Sequence, residues 1–124
     1  MKKQILFLAA MLIAMSYVNA TQWSVSNSPQ NPGQFATLSD AVASASVLTG
    51  DTLLVQPTSI AYSTAFTLSK QLTIIGGGFN TNKVGAFYTN ISGMITLNVG
   101  CSGSRFYGFR FATIISAGTA GVLN

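Results

Sequence analysis

The sequence predicts an all-β fold in which short strands stack as successive coils of a solenoid. Strand-like groups recur at a coil-like distance: Leu53 to Leu72 spans 72 − 53 = 19 residues, and Leu72 to Ile95 spans 95 − 72 = 23. A period near 20 with one short strand per unit and turns between is the mark of a repeat architecture. Within the groups apolar residues alternate, as in Phe66 and Leu68, Leu72 and Ile74, or Ile95, Leu97 and Val99. That spacing sends every second side chain into a narrow interior. An antiparallel β-sandwich competes with this arrangement, but its tight hairpins favour Asn-Gly or Asp-Gly, and neither dipeptide occurs.

The elements follow in order. Residues 1–20 read as a secretion signal: Lys2 and Lys3, an apolar run from Ile5 to Met15, then Val18 and Ala20 at the positions a signal peptidase inspects. The run is too short to span a bilayer as a helix, which takes roughly 20 apolar residues. Residues 21–36 form a polar lead-in and cap with Pro29 and Pro32, in which Trp23-Ser24-Val25 is a short first strand and Trp23 covers the core. One helix is expected from Leu38 to about Val47. Thr37 or Ser39 caps it, Asp40 lies in its first turn, and Leu38, Ala41, Val42 and Ala45 make its apolar face. Residues 37–124 then hold this helix and the coils. Strands are expected at 51–56, closed by Pro57, from Ile60 through Leu68, at 71–75, at 94–99 and at 105–111, with a weaker one at 113–115. Gly121-Val122-Leu123-Asn124 reads as the opening of another, so the fold is expected to be incomplete at its C-terminal end.

Three stretches, Phe35-Ala36-Thr37-Leu38-Ser39-Asp40-Ala41-Val42, Gly50-Asp51-Thr52-Leu53-Leu54-Val55 and Leu68-Ser69-Lys70-Gln71-Leu72-Thr73-Ile74-Ile75-Gly76, resemble the start of the right-handed parallel β-helix (pectate-lyase-like) superfamily. They look like its N-terminal cap helix, first strand and second coil, and Ser104-Arg105-Phe106-Tyr107-Gly108-Phe109 resembles its recurring coil phrase. The resemblance implies a right-handed parallel β-helix with a short N-terminal capping helix. It says little about activity, because that superfamily includes lyases, hydrolases, adhesins and surface proteins.

Composition narrows the chemistry. After the signal, Lys70, Lys83, Arg105 and Arg110 face Asp40 and Asp51, a net charge of 4 − 2 = +2. Nucleic-acid binding needs clustered Lys or Arg to collect phosphate contacts, and no such cluster exists. Thirteen Thr, thirteen Ser and twelve Gly make up over a third of residues 21–124. With so little charge that composition could signal disorder, but the apolar β-prone groups argue for a packed fold. The chain has no His and one cysteine, Cys101, which therefore lacks a base to make it a nucleophile and is expected to be a buried thiol. Two separated aspartates do not make a glycosidase pair, and zinc or calcium needs three or more ligands, so no catalytic residue, cofactor or metal is expected. Gly76-Gly77-Gly78 leads to Lys83, but that Lys follows Asn82 and precedes Val84, which breaks the phosphate-loop pattern. Asn90-Ile91-Ser92 is formally a glycosylation sequon.

Two functions are compatible with these readings. One is an exported, non-catalytic scaffold, secreted or on a bacterial cell surface, that meets polysaccharide or another surface protein through Tyr88, Tyr107 and Arg110. It has no transmembrane anchor once the signal is removed. The alternative is the N-terminal part of a polysaccharide lyase or glycoside hydrolase whose catalytic residues lie beyond Asn124. Arg105 and Arg110, five apart in one strand segment, would point to opposite faces and make a weak pair.

Overall fold

The computed structural model describes residues 19–78 and 88–116. The signal reading therefore falls outside the described residues except for Asn19 and Ala20. So do Lys83, most of the glycine-rich loop and the last eight residues.

Among the described residues seven strands and one helix follow one another: β1 (Gln22–Val25), α1 (Leu38–Ala43), β2 (Thr52–Val55), β3 (Phe66–Leu68), β4 (Thr73–Ile75), β5 (Thr89–Leu97), β6 (Arg105–Tyr107) and β7 (Phe109–Ser116). They form two sheets, β1-β2-β4-β6 and β3-β5-β7. From β2 onward the chain alternates between the sheets, and all five strand pairings are parallel. Parallel neighbours cannot be joined by a tight hairpin, so antiparallel hairpins do not describe these pairings.

Burial follows the two-residue period. Val25, Leu53, Val55 and Ile74 in one sheet and Phe66, Leu68, Ile91, Ile95 and Leu97 in the other are buried, and they share one core with Leu38, Ala41, Val42, Val47 and Cys101. Phe106, Phe109 and Phe111 pack on this core half-buried, with ring centroids 5.5–6.4 Å apart. At 20–30 cal/mol per Å², each fully buried Leu or Ile contributes about 1.5–3 kcal/mol.

Several expectations shift. The helix stops at Ala43, because Ser44 turns to extended backbone and returns its N–H to the Asp40 and Ala41 carbonyls. Ala45 consequently leaves the apolar face and is exposed, whereas Thr37 is the cap, accepting from the Asp40 N–H at 3.0 Å. The expected strand from Ile60 shrinks to Phe66–Leu68, and only Tyr62 before it forms a bridge, to Ile91. Val99 is 69% exposed; the chain is already turning, and Cys101 takes the inward place instead. The spacing from Leu72 to Ile95 proves to join different layers, since Ile95 pairs with Phe66 while Leu53 pairs with Ile74.

The segment 105–111 is two strands. Gly108 adopts φ +71°, and a Cβ there would lie 2.8 Å from the Gly78 nitrogen and 2.9 Å from the Gly76 carbonyl oxygen. Glycine alone fits that corner. Arg105 and Arg110 therefore sit on different sheets, a stronger separation than opposite faces of one strand.

The two ends of the first sheet differ. The outer edge of β1 is covered: the Ser24 N–H donates to the Gln34 side-chain oxygen at 2.9 Å, the Phe35 N–H to the Ser24 carbonyl at 3.1 Å, and the Ser26 N–H to the Phe35 carbonyl at 2.9 Å. At the other end no described strand pairs with the far side of β6.

Candidate functional site

The outer face of β1-β2-β4-β6 carries two rows of side chains in register. One is Gln22, Thr52, Thr73 and Arg105; the other is Ser24, Leu54, Ile75 and Tyr107. Strand alternation puts them there, because the residues between them, Trp23, Leu53, Ile74 and Phe106, turn inward. Adjacent members of a row are separated by one strand spacing, roughly 4.8 Å. The face ends in its two largest groups: Tyr107 is 51% exposed, and Arg105 lies two residues away on the same side of β6. Among the described residues the Arg105 guanidinium has no hydrogen-bond or ion-pair partner. Beside it opens a polar recess of about 260 Å³ lined by Gly50, Gln71, Leu72, Thr73, Gly103 and Arg105.

Of the three residues expected to make contacts, the structure joins two and separates the third. Arg110 lies on β7 with its guanidinium 5.8 Å from the centre of the Tyr88 ring, and it donates to the Tyr88 hydroxyl at 3.2 Å. Exposed cation–π pairs contribute about 0.5–1 kcal/mol, and here the pair holds the two side chains against each other. Tyr107 stands on the other sheet. Arg105, Thr52, Thr73, Leu54 and Ile75, which share the face with Tyr107, are not among those three. The signal was present in the parity of three short strands, but reading it required the register between them.

Asp51 is buried and fully engaged. Its carboxylate accepts from the Thr21 N–H at 2.8 Å, the Trp23 indole N–H at 2.8 Å and the Leu48 N–H at 2.9 Å. Burial pushes its pKa up, but the hydrogen bonds from Leu48, Thr21 and Trp23, with the nearby Lys70 charge, outweigh that and hold it below the ordinary value of 3.8. Lys70 in turn donates to the Ser44 and Val47 carbonyls at 2.7 and 2.9 Å. Asp40 is exposed at the helix start. Asp51 thus ties the Thr21–Trp23 segment to Leu48, and neither carboxylate lies on the outer rows.

A second cleft, about 190 Å³, lies between the helix start and the segment 60–64. Two of its polar side chains are already committed: Thr37 caps α1, and the Asn27 amide donates to the Ile60 carbonyl at 3.0 Å. Among the described residues no three of His, Cys, Asp or Glu gather as a metal site, and no helix is long and apolar enough to cross a membrane. The chemistry left to the outer face is stacking on Tyr107 and hydrogen bonding to Arg105, Gln22 and the threonines.

Comparison with protein-family models, with curated proteins and with solved structures returned no match.

Proposed function

We propose that this chain is an exported, non-catalytic stretch of right-handed parallel β-helix. It serves as a secreted or cell-surface scaffold, and the outer face of β1-β2-β4-β6 makes shallow contacts with polysaccharide. The fold reading is supported by parallel pairing in both sheets and by the alternation of the chain between them. Export is supported by the charged, apolar and small-residue order of residues 1–20.

The observation that carries the contact reading is the pair of outer rows ending in Tyr107 and Arg105. A half-exposed aromatic ring offers an apolar face to the C–H side of a sugar, and its hydroxyl remains wet. A guanidinium and a row of hydroxyls supply donors and acceptors for sugar oxygens. A regular polymer suits a regular row. The face is flat, so affinity has to come from repetition along the polymer rather than from enclosure.

The test is affinity electrophoresis of the exported chain through gels containing neutral or acidic polysaccharides. Retardation by at least one polymer is expected, and Tyr107→Ala with Arg105→Ala should abolish most of it. Undiminished retardation in that double variant would refute the assignment of the face. Release of shortened sugars by the purified chain would refute its non-catalytic character.

A further inference from the structure

The nitrogen of Thr21 is held by a buried carboxylate. Its N–H donates to Asp51 Oδ1 at 2.8 Å, while the Thr21 carbonyl accepts from the Thr52 N–H at 2.9 Å. The residue is therefore fixed at both ends as the chain enters β1. Asp51 is 3% exposed, and its Oδ2 takes the Trp23 indole N–H and the Leu48 N–H while Oδ1 is turned to Thr21.

Thr21 is also the residue that removal of the signal would make first. Val18 and Ala20 stand where a signal peptidase reads, which puts the cut between Ala20 and Thr21. Among the described residues one hydrogen bond reaches back across that point, from the Thr21 hydroxyl to the Asn19 carbonyl at 3.5 Å, and Asn19 and Ala20 are exposed. The fold thus loses little with them. What changes is the nitrogen. When water hydrolyses the Ala20–Thr21 peptide bond, the Ala20 carbonyl keeps the water oxygen as a carboxylate. The Thr21 nitrogen takes both water protons and becomes an α-ammonium group. It is then already at hydrogen-bond distance from Asp51, and such bonds between opposite charges are about twice as strong as neutral ones. The other cation acting on Asp51, Lys70, is engaged by the Ser44 and Val47 carbonyls at 2.7 and 2.9 Å.

We propose that signal removal completes this fold: the new Thr21 α-ammonium group forms an ion pair with Asp51 that fixes the start of β1 against the corner at Leu48. The pair depends on the position of the cut. A start at Ala20 leaves a neutral N–H on Asp51 and moves the charge one residue away, and a start at Gln22 removes the donor. Full stability is thereby reached only after the signal is gone. The pair rests on the export reading for the cut after Ala20 and is independent of any contact with polysaccharide.

The experiment starts from the chain secreted by a bacterial host, whose intact mass should place Thr21 first. Beside it stands a chain that keeps Asn19 and Ala20, released from a fusion by a protease that leaves no extra residue. Thermal melts should place the Thr21 start about 3–10 °C above the longer chain, and in an Asp51→Asn background the difference should vanish. A second arm leaves Asp51 intact: brief acetylation by an active ester near neutral pH, read by the mass of the N-terminal peptides. An ordinary α-amino group titrates at about 7.7–8.0 and is partly neutral there, whereas one paired with a carboxylate stays protonated. The Thr21 amine should therefore react at least several-fold more slowly than the Asn19 amine of the longer chain, and the two rates should converge in denaturant. A secreted chain that keeps residues 1–20 would sink the cut and the pair with it. A correct cut with equal melting, or with equal labelling of the two amines, would overturn the pair alone.

Discussion

Replacing Asp51 by Asn changes almost no volume and removes one charge. The carboxylate takes three donors, two of them, Trp23 Nε1 and the Leu48 N–H, on the same oxygen. An amide turned to keep those two as neutral bonds sets its own NH₂ against the Thr21 N–H. Hydrogen bonds to a charged group contribute about 1.5–3 kcal/mol and neutral ones about 1, so two weakened bonds and one opposed donor should cost roughly 2–4 kcal/mol. In a domain of this size each kcal/mol moves Tm by about 4–8 °C, so a fall on the order of 10 °C or more is expected. Thermal melts followed by Trp fluorescence report it, since Trp23 is the only tryptophan and is itself bonded to Asp51. An Asp51→Asn variant melting within about 2 °C of the parent would refute the reasoning, because an opposed donor alone should cost more than that.

The same carboxylate has a pH signature. Its pKa is lower in the folded chain than the ordinary 3.8. A depressed carboxylate stabilises the fold above its unfolded pKa, and that contribution is lost as pH falls through the lower, folded value. The parent should therefore lose stability on acidification below about pH 4, and Asp51→Asn should show a flatter profile there. Parallel profiles would assign the acid sensitivity to other groups.

Three further outcomes follow from close contacts. Gly93 lies where β5 shifts register between Ile91 and Met94, and a Cβ there would sit 2.5 Å from the Thr64 carbonyl oxygen and 2.7 Å from that of Ser63; Gly93→Ala should lower the denaturant midpoint by the equivalent of about 1–3 kcal/mol of overpacking. Thr89 is fully buried, accepting from the Gly77 N–H at 2.9 Å and donating to the Val55 carbonyl at 3.2 Å, so Thr89→Val should cost about 1–3 kcal/mol in chemical unfolding while Thr89→Ser costs clearly less. Cys101 is buried, and its reaction with an aromatic disulfide reagent should be slow in buffer and rise to the free-thiol rate in denaturant; rapid labelling of the folded chain would show that its cover opens.

Apolar alternation made much of the interior legible in the sequence. Leu53, Ile74, Phe66, Leu68, Ile95 and Leu97 are buried, as their spacing implies. What the pattern could not carry was the assignment of strands to layers. Leu72 and Ile95 share a spacing with Leu53 and Leu72, yet the pairs actually formed, Leu53 with Ile74 and Phe66 with Ile95, are set by corners whose geometry lies in backbone hydrogen bonds. The break at Gly108 is only half legible: Ser104–Phe109 resembles a phrase in which a glycine turns the chain, yet the apolar residues of 105–111 look like one strand, and the positive φ is what separates β6 from β7. For the site, Tyr107 was visible as an outward aromatic. Read as one strand segment, the sequence sets Arg105 against Arg110 as a weak pair, whereas the fold places Arg110 on another sheet beside Tyr88.

The composition that resembles disorder is explained by the same stacking. Ladder bonds satisfy the strands, but each corner leaves N–H and C=O groups that need a partner. Short hydroxyl side chains reach them: Ser104 accepts from the Leu72 N–H at 3.0 Å and donates to the Lys70 carbonyl at 3.2 Å, Thr89 bridges Gly77 to Val55, and Thr37 caps the helix. Stacking also limits charge. Each outward position has the same position of the next strand directly beside it, where like charges oppose each other and destabilise the pair. The row Gln22, Thr52, Thr73, Arg105 accordingly holds one charge, and the row Ser24, Leu54, Ile75, Tyr107 holds none. A chain with few charges and many hydroxyls is thus what parallel strands joined by tight corners require, and the single guanidinium on the outer face stands at the one edge where no described strand follows it.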